Sequence, residues 1–336
     1  MWKSLKDRAE GVKEMKRMKT TEAVGQVLCH DITQIIPGVT KDAVFRKGHI
    51  IREEDIPVLL SVGKDSVYIW ENDETMMHEN DAAEVLYRMT ANEHMHPSDV
   101  KEGKIEVIAD TEGLLKVDRE KLKKVNAFGE MMIATRHGNT VVKKGDKLAG
   151  TRIIPLVIKK DKMQEAEKIC DGTPILKILP FTVKKAAIIT TGNEVYHGRI
   201  KDAFTPVIEQ KIAEFGAEMM FHEIFDDNDR KITDGCLRAI EAGADIVFCT
   251  GGMSVDPDDK TPLAIKNTGA EMISYGSPVL PGAMFLLSYY RKGDKVIPIC
   301  GLPGCAMYNR RTIFDLVLPR LMAADPVTAD ELASLG

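Results

Sequence analysis

Short apolar segments alternate with amphipathic segments over the second half of the chain, and this alternation is the feature that most restricts the fold. Residues 186–190 and 245–249 are largely apolar, while residues 201–215 and 229–241 have helical spacing and each end close to a glycine. Strands that alternate with helices predict a parallel sheet with right-handed crossovers. Continuous apolar strands predict a sheet that is covered on both faces. We therefore predict that residues 182–336 form a three-layer, doubly wound and mostly parallel α/β domain.

The same half contains further segments with recognisable patterns. Residues 218–225 are predicted to be a strand, and residues 284–290 and 296–300 a hairpin that turns at Lys292-Gly293. A short helix is expected at residues 261–267. The last predicted helix runs from Cys305 to Met322.

The first half is less regular, and we divide it into an α+β region at residues 1–80 and a second α+β region at residues 81–181. Glycines between apolar runs mark the turns in both regions. The expected helical segments are residues 1–20, 21–31, 53–62, 81–89 and 114–125. The expected strands are residues 67–70, 105–109, 131–135 and 153–158.

Composition narrows the functional class. The 336 residues carry a formal net charge of −5, which argues against a nucleic-acid partner. No apolar stretch is long enough to cross a membrane, and no apolar run follows the basic start as it would in a signal peptide. Six cysteines occur without a Cys-x-x-Cys pair. This pattern is typical of a reducing compartment, so we expect a cytoplasmic protein without disulfides or a zinc site.

Glycine turns follow three of the predicted strands. Thr191-Gly192-Asn193-Glu194 follows the first strand, Thr250-Gly251-Gly252 follows residues 245–249, and Gly301-Leu302-Pro303-Gly304 opens the predicted last helix. Ligands of such sheets bind outside the carboxyl ends of the strands. Glycines let backbone N–H groups point at a ligand, and a helix N-terminus favours an anion. The three turns together predict a phosphate-binding edge that needs no dense basic patch.

Each of these patterns also has a purely structural interpretation. Thr250-Gly251-Gly252 could be an ordinary turn, and Pro303 could simply begin a helix. Three histidines, His78, His94 and His96, could ligate a metal, but their spacing is more typical of surface histidines.

The second half resembles a known family. Thr190-Thr191-Gly192-Asn193-Glu194-Val195, followed by Gly198 to Asp202, is similar to the opening of the molybdopterin-binding domain. The segment from Thr250 to Asp259 resembles the second signature of that domain, and Pro281-Gly282 with Leu302-Pro303-Gly304 resembles its third and fourth. The family is the MoeA/gephyrin type of molybdotransferase, with the MogA/MoaB adenylyltransferases as relatives. Residues 23–67 also resemble part of the MoeA type.

The resemblance implies a ligand and a site. The ligand would be molybdopterin or its adenylylated form, with Mg²⁺ and molybdate. Asp259 and Asp202 would hold the metal and act in catalysis. The pterin would be bound by a set of residues from the four signatures: Thr191, Gly192, Glu194, Thr250, Gly251, Gly252, Ser254, Pro281, Gly282, Leu302, Pro303 and Gly304.

This chain departs from the family pattern in several loops. Asn193 replaces the first aspartate of the motif, and Ala203-Phe204 replaces a Ser-Asn pair. The lysine expected after Pro281-Gly282 is absent, since Ala283 follows. Loss of a charge-assisted hydrogen bond costs about 1.5–3 kcal/mol, or roughly ten- to hundredfold in affinity. Binding is therefore the firmer expectation, because a transition state that lacks its charged partner raises the barrier directly.

Three functions follow from the resemblance. The first is insertion of molybdenum into molybdopterin with release of AMP. The second is a non-catalytic carrier that delivers the cofactor to a molybdoenzyme or to another protein of cofactor biosynthesis. The third is a different enzyme on the same domain, either a molybdopterin adenylyltransferase or a CinA-like nucleotide hydrolase. Related domains self-associate, so a homo-oligomer is expected by analogy.

Overall fold

The computed structural model describes residues 16–36, 40–69 and 75–336. These residues form two compact units. The first is built from most of the chain up to residue 178, and the second from residues 179–336 with the short segments 112–115 and 139–141. The division of the first half at residue 80 stays a prediction. In the described part of the chain, no helix is both long and apolar enough to cross a membrane.

The N-terminal part of the first unit is formed by short strands and turns. Lys16–Lys19 pairs antiparallel with Ser66–Ile69, and Ile32–Ile36 pairs antiparallel with Thr40–Phe45. The helical segments are the 3-10 turns Thr20–Glu22 and Glu53–Asp55 and the α-helix Ile56–Ser61. The core consists of buried apolar side chains from these segments: Ala23, Leu28, Ile32, Ile51, Leu59, Val67 and Ile69.

Two predictions for this part were wrong, and two others agree with the structure. The basic segment 1–20 was expected to be helical, but Lys16–Lys19 is a strand, because pairing with Ser66–Ile69 satisfies its backbone. Residues 21–31 form no α-helix. The predicted helix at 53–62 and the predicted strand at 67–69 are present. Residues 1–15 and residue 70 lie outside the described residues.

The rest of the first unit contains a four-stranded antiparallel sheet. Its strand order is Met95–Pro97, Lys104–Ala109, Lys147–Ile153 and Met131–Thr135. The helices are Glu79–Thr90, Arg119–Ala127 and Lys160–Cys170. Met76–His78 pairs with Val157–Lys159. The remaining described strands before residue 180 are Gly113–Val117, Thr140–Val142 and Leu176–Leu179.

Two more predictions were wrong here. Residues 114–125 were expected to be one helix, but a strand ends at Val117 and a helix begins at Arg119 after the N-cap Asp118. Residues 153–158 were expected to be one strand, but a bend separates Ile153 from Val157.

The second unit is a six-stranded sheet. Its strands are β1 Lys185–Thr191, β2 Glu218–Phe225, β3 Ile246–Thr250, β4 Glu271–Tyr275, β5 Leu286–Lys292 and β6 Lys295–Leu302. Its helices are α1 Asn193–Tyr196, α2 Phe204–Ala213, α3 Asp229–Glu241, α4 Thr261–Asn267, α5 Ile313–Met322 and α6 Ala329–Ala333. The strand order is β2-β1-β3-β6-β5-β4. The first four of these strands are parallel, and β5 runs antiparallel to both of its neighbours.

Both faces of this sheet are covered, which gives the predicted three layers. On one face Phe248 packs with Phe314 of α5, their ring centroids 5.4 Å apart, and α2 contributes Ile208 to the same core. On the other face Val247 lies in a core with Ile232 of α3 and residues of α4. The doubly wound, mostly parallel α/β fold is confirmed.

Two features of the second unit differ from the sequence prediction. The last helix was expected to begin at Cys305, but the chain forms a 3-10 turn at Gly304–Met307, and α5 begins only at Ile313. Thr312 caps this helix together with Asp315. Strand β4 was not predicted, since it is a half-exposed edge strand with weak apolar alternation.

The sequence pattern favoured a surface position for His78, but in the structure His78 of the first unit is buried between two backbone groups. Its Nε2 donates to the carbonyl oxygen of Cys29 at 2.6 Å, and its Nδ1 accepts from the amide of Asn80 at 3.2 Å. Only the neutral ring with its proton on Nε2 makes both bonds. Burial is the main cause that lowers the pKa of His78. The folded protein therefore holds this ring neutral while the unfolded chain takes up a proton near pH 6.5.

We predict that the first unit loses stability as the pH falls from about 7.5 to about 5.5. The folded pKa is depressed, so the unfolded state binds more protons, and stability decreases as the pH falls through the unfolded value. Burial lowers the pKa of His30 as well, so it adds to the loss with the same sign. His78→Gln should reduce this pH dependence, measured by hydrogen exchange of helix Glu79–Thr90.

The exposed His94 provides the control. In His94→Asn, the stability of the first unit should depend on pH as it does in the wild type. An unchanged slope in His78→Gln would contradict the assignment of the pH dependence to His78.

Candidate functional site

Three glycine turns follow neighbouring strands of the six-stranded sheet in the second unit, and the three strands end beside one another. Thr190 of β1 lies opposite Thr250 of β3, and Thr250 lies opposite Leu302 of β6. The strands are parallel and adjacent strands lie about 4.8 Å apart. The turns that follow Thr191, Thr250 and Leu302 therefore share one edge, the carboxyl edge of the parallel strands.

The fourth turn lies at the same edge. Tyr275 at the end of β4 lies opposite Leu286 at the start of β5, and Leu286 lies opposite Gly301 of β6. The loop that joins β4 to β5 carries Pro281 and Gly282. All four turns that were predicted from the sequence to bind the ligand thus lie on the carboxyl edge.

Gly251 and Gly252 pack against the protein itself. Their φ angles are +82° and +55°, in the left-handed region that favours glycine. A Cβ on Gly251 would lie 2.1 Å from the carbonyl oxygen of Thr191. The hydroxyl of Thr191 donates to the carbonyl of Thr250 at 3.1 Å and lies 3.0 Å from the hydroxyl of Thr261. At Gly251 the missing side chain thus permits close packing on β1, where the sequence had predicted close approach of a ligand.

The first turn is shaped by Gly192 and Glu194. Gly192 has a φ of +132°, and its amide donates to the carbonyl of Phe225 at 3.2 Å. A Cβ on Gly192 would lie 3.0 Å from Oε2 of Glu194, so the carboxylate of Glu194 lies close over this turn. The turn leads into α1, a helix of a single turn.

The last two turns are packed to different degrees. A Cβ on Gly282 would lie 2.4 Å from Cγ2 of Ile313, at the start of α5. Leu302 and Pro303 are buried, and Leu302 belongs to the core of the sheet. Gly304 is exposed, with no heavy atom within 4 Å of its Cβ position. The sequence predicted that the N-terminus of a long helix would stabilise an anion at this turn. Because α5 does not begin at Gly304, its dipole does not contribute here.

An acidic cluster lies beside the first two turns. Burial raises the pKa of Asp227, and the charges of Glu194, Asp259 and Asp258 raise it further. The carboxylate of Asp227 also accepts from the amide of Asn193 at 3.1 Å. The structure therefore brings Glu194 and Asp259, both selected from the sequence, together with Asp227, which was not selected. Asp227 could have been found, because it lies in the turn that follows strand β2, two residues after Phe225.

Tyr275 is a second residue that the sequence analysis missed. Burial and then the charge of Asp259 raise its pKa. Its hydroxyl donates to the carbonyl of Met253 at 3.0 Å, and the carbonyl of Ser254 lies 3.3 Å away. Tyr275 thus holds the loop that carries Ser254 and Asp259. No sequence signal pointed to it, because strand β4 was itself not predicted.

Asp202 is held in a network at the start of α2. Its carboxylate accepts from the amides of Phe204 and Thr205 and from the hydroxyls of Thr190 and Thr205, at 2.6 to 3.2 Å. Nε2 of His222 lies 3.2 Å from both hydroxyls and 3.5 Å from the carboxylate. Burial would raise the pKa of Asp202, but the accepted hydrogen bonds outweigh it and lower the pKa. Asp202 therefore caps the helix, and both of its oxygens have donors.

The metal-binding candidates differ in their surroundings. Within the described ranges, no three His, Cys, Asp or Glu side chains are placed to hold an ion by themselves. Of the histidines named from the sequence, His96 pairs with Asp110 at 2.6 Å, and His78 is bound to the carbonyl oxygen of Cys29. The hydroxyl of Thr250 at the edge is buried and, among the described residues, has no hydrogen-bond partner.

Two family models match the chain. Residues 187–323 match a model described as a probable molybdopterin binding domain. Residues 17–71 match a model described as a domain of unknown function (DUF8806). The first match spans all four glycine turns and the acidic cluster.

A competence-damage inducible protein of Bacillus cereus (strain B4264) is 30% identical over 129 residues, which are 38% of this chain and 30% of the relative. This chain thus spans less than a third of that relative. Among solved structures, the tungsten cofactor synthesizing protein MoaB from Pyrococcus furiosus is 18% identical with a TM-score of 0.36, over 43% of this chain and 98% of that one. The protein CinA from Thermoplasma acidophilum is 18% identical with a TM-score of 0.31, over 37% and 92%.

We predict that Gly251→Ala destabilises the second unit by about 2–4 kcal/mol, because it combines a left-handed backbone with an overlap on a β1 carbonyl. Hydrogen exchange of peptides that cover residues 246–268 measures the loss locally. Gly304→Ala is the matched control, since its Cβ position is open, and should change stability by less than about 0.5 kcal/mol. Equal effects of the two substitutions would show that the packing of Gly251 on Thr191 is not what requires glycine.

Proposed function

We propose that the second unit binds molybdopterin, or its adenylylated form, at the carboxyl edge of the sheet, as part of molybdenum cofactor biosynthesis. The observation that carries this proposal is the register of β1, β3 and β6, which sets three of the turns side by side. The match of residues 187–323 to a probable molybdopterin binding domain supports the ligand class. The MoeA/gephyrin relationship is our proposal, on the motifs quoted from the sequence.

A cation is needed if a phosphate is to bind at this edge. Glu194, Asp227 and Asp259 give the edge negative charge, and this charge repels an anionic ligand. Mg²⁺ typically uses one or two carboxylates together with substrate phosphate oxygens and water. Asp259 and Asp227 would hold Mg²⁺ in this way, and Glu194 lies near enough to strengthen the field. The ion would supply neutralising charge and would orient the phosphate.

The backbone of the turns would bind the phosphate end of the pterin. Gly251, Gly252 and Gly304 contribute amides, and Ser254 is exposed beside them. Our proposal keeps the remaining residues chosen from the sequence as the frame of these turns: Thr191, Gly192, Pro281, Gly282, Leu302 and Pro303.

The reaction proposed for this site is transfer of molybdate to adenylylated molybdopterin with release of AMP. Asp259 would act directly, next to the metal. Asp202 would act through Thr190, because its own oxygens already accept four hydrogen bonds. We place the protein in the cytoplasm, as a homo-oligomer that passes its product to a molybdoenzyme.

The carrier function is the second candidate. Asn193 and Ala283 stand where the family has an aspartate and a lysine, so groups expected to act in the reaction are missing while the turns remain. A binding site without those groups can hold and deliver a cofactor without transforming it. The adenylyltransferase and the CinA-like nucleotide hydrolase remain further alternatives, and incubation with ATP and molybdopterin, or with ADP-ribose, tests each of them.

We predict that Asp259→Asn and Asp227→Asn each weaken binding of molybdopterin by about ten- to hundredfold, and that they abolish its dependence on Mg²⁺. Isothermal titration with and without Mg²⁺ measures both effects. Asp330→Asn on α6 makes the same change of an aspartate to an asparagine and serves as the control. This variant should bind molybdopterin as the wild type does. Absence of heat from the wild type at tens of micromolar ligand would remove the proposed function altogether.

Complementation separates the enzyme from the carrier. In cells that lack their own molybdotransferase, we predict that the wild-type chain restores molybdoenzyme activity and that Asp259→Asn restores at most about one tenth as much. Restoration would exclude a purely passive carrier. Retained molybdopterin binding without any restoration would instead favour the carrier.

A further inference from the structure

A cavity of about 390 Å³ lies in the second unit at the edge opposite the glycine turns. Val183 and Asp245 line it just before β1 and β3 begin, and Lys295 and Val296 line it at the start of β6. These positions are the amino ends of three parallel strands. Strand β6 is eight residues long, so the cavity lies roughly 20 Å from the carboxyl edge. It is therefore separate from the proposed pterin site.

The walls of this cavity are largely apolar. Val183, Pro298 and Leu321 are buried, and Val296 is 40% exposed toward the opening. Tyr289 adds an aromatic wall that is fixed in place, because its hydroxyl accepts from the amide of Val327 at 2.7 Å. Burial raises the pKa of Tyr289 to about 12, so the phenol is neutral at physiological pH. A ligand that fills the cavity must therefore have an apolar body.

The charged groups around the cavity are mostly acidic. Three carboxylates line it, from Asp245, Asp294 and Asp325, against the single ammonium group of Lys295. Lys295 is bound to Asp245 at 2.6 Å, and Asp325 is bound to Nε of Arg320 at 2.5 Å. Asp294 is exposed on the hairpin turn between β5 and β6. Its carboxylate is the one placed to meet an incoming positive charge.

We propose that this cavity is a second small-molecule site, specific for an organic cation with a ring-sized apolar body and a protonated amine. The volume is within the range of small-ligand sites, toward its lower end. The apolar body would lie against Tyr289, Pro298 and Leu321, and the amine would lie toward Asp294. An anion of the same shape would be repelled by the acidic rim. The site stands independently of the proposed pterin function.

Three indole probes of similar shape and different charge test the ligand class. Tryptamine carries an ammonium group, N-acetyltryptamine is neutral, and indole-3-propionate is an anion. Ligand-observed NMR titration of the full chain should give tryptamine a dissociation constant below about 1 mM and the anion at least tenfold weaker binding. Asp294→Asn should weaken tryptamine about two- to fivefold and leave N-acetyltryptamine unchanged, since the carboxylate is exposed to solvent.

A filling variant tests the location. Val296→Trp places a large ring at the cavity opening and should abolish tryptamine binding. Met272→Trp on edge strand β4, also exposed and apolar in the same sheet, is the matched control and should bind normally. Molybdopterin titration should be unchanged in both variants, which keeps this test distinct from that of the pterin site. Tryptamine binding that survives Val296→Trp, equal binding of the anion, or no binding of tryptamine would each overturn the proposal.

Discussion

The in-register parallel pairing of β1, β3 and β6 is the constraint on which the rest of the second unit depends. It sets Thr190, Thr250 and Leu302 in one row, so the turns that follow them leave the sheet together. A slip of one residue would move every side chain of a strand to the opposite face. The packing of Phe248 on Phe314 on one face and of Val247 in the core on the other opposes such a slip. The core of the sheet therefore determines the geometry of the site.

The chemistry of the carboxyl edge follows from what this row brings together. Backbone amides of the turns are suited to an anion, whereas the neighbouring Glu194, Asp227 and Asp259 repel one. In the proposed function, a divalent cation between the ligand and the carboxylates would resolve this conflict, because both would attract it. The amino edge differs in its chemistry, because its cavity combines apolar walls with a different acidic rim.

Elements with strong local signals could be predicted from the sequence. Helix α3 was predicted at its observed bounds, because its apolar spacing lies between the N-cap Asn228 and a terminal glycine. The error at the start of α5 was avoidable, since Thr312 and Asp315 have the spacing of a capping box. Strand β4 and the strand at Lys16–Lys19 depend on pairing with distant segments, which no local pattern shows. The roles of Asp227 and Tyr275 depend on tertiary proximity for the same reason.

The central claim is that the carboxyl edge of the second sheet is where molybdopterin and Mg²⁺ bind. Hydrogen–deuterium exchange of the full chain, with and without both ligands, tests it most directly. The account predicts slowed exchange in the segments 191–200, 250–260 and 303–309, which leave that edge, and unchanged exchange at residues 293–296 on the opposite edge. Protection confined to the opposite edge or to the first unit would contradict it.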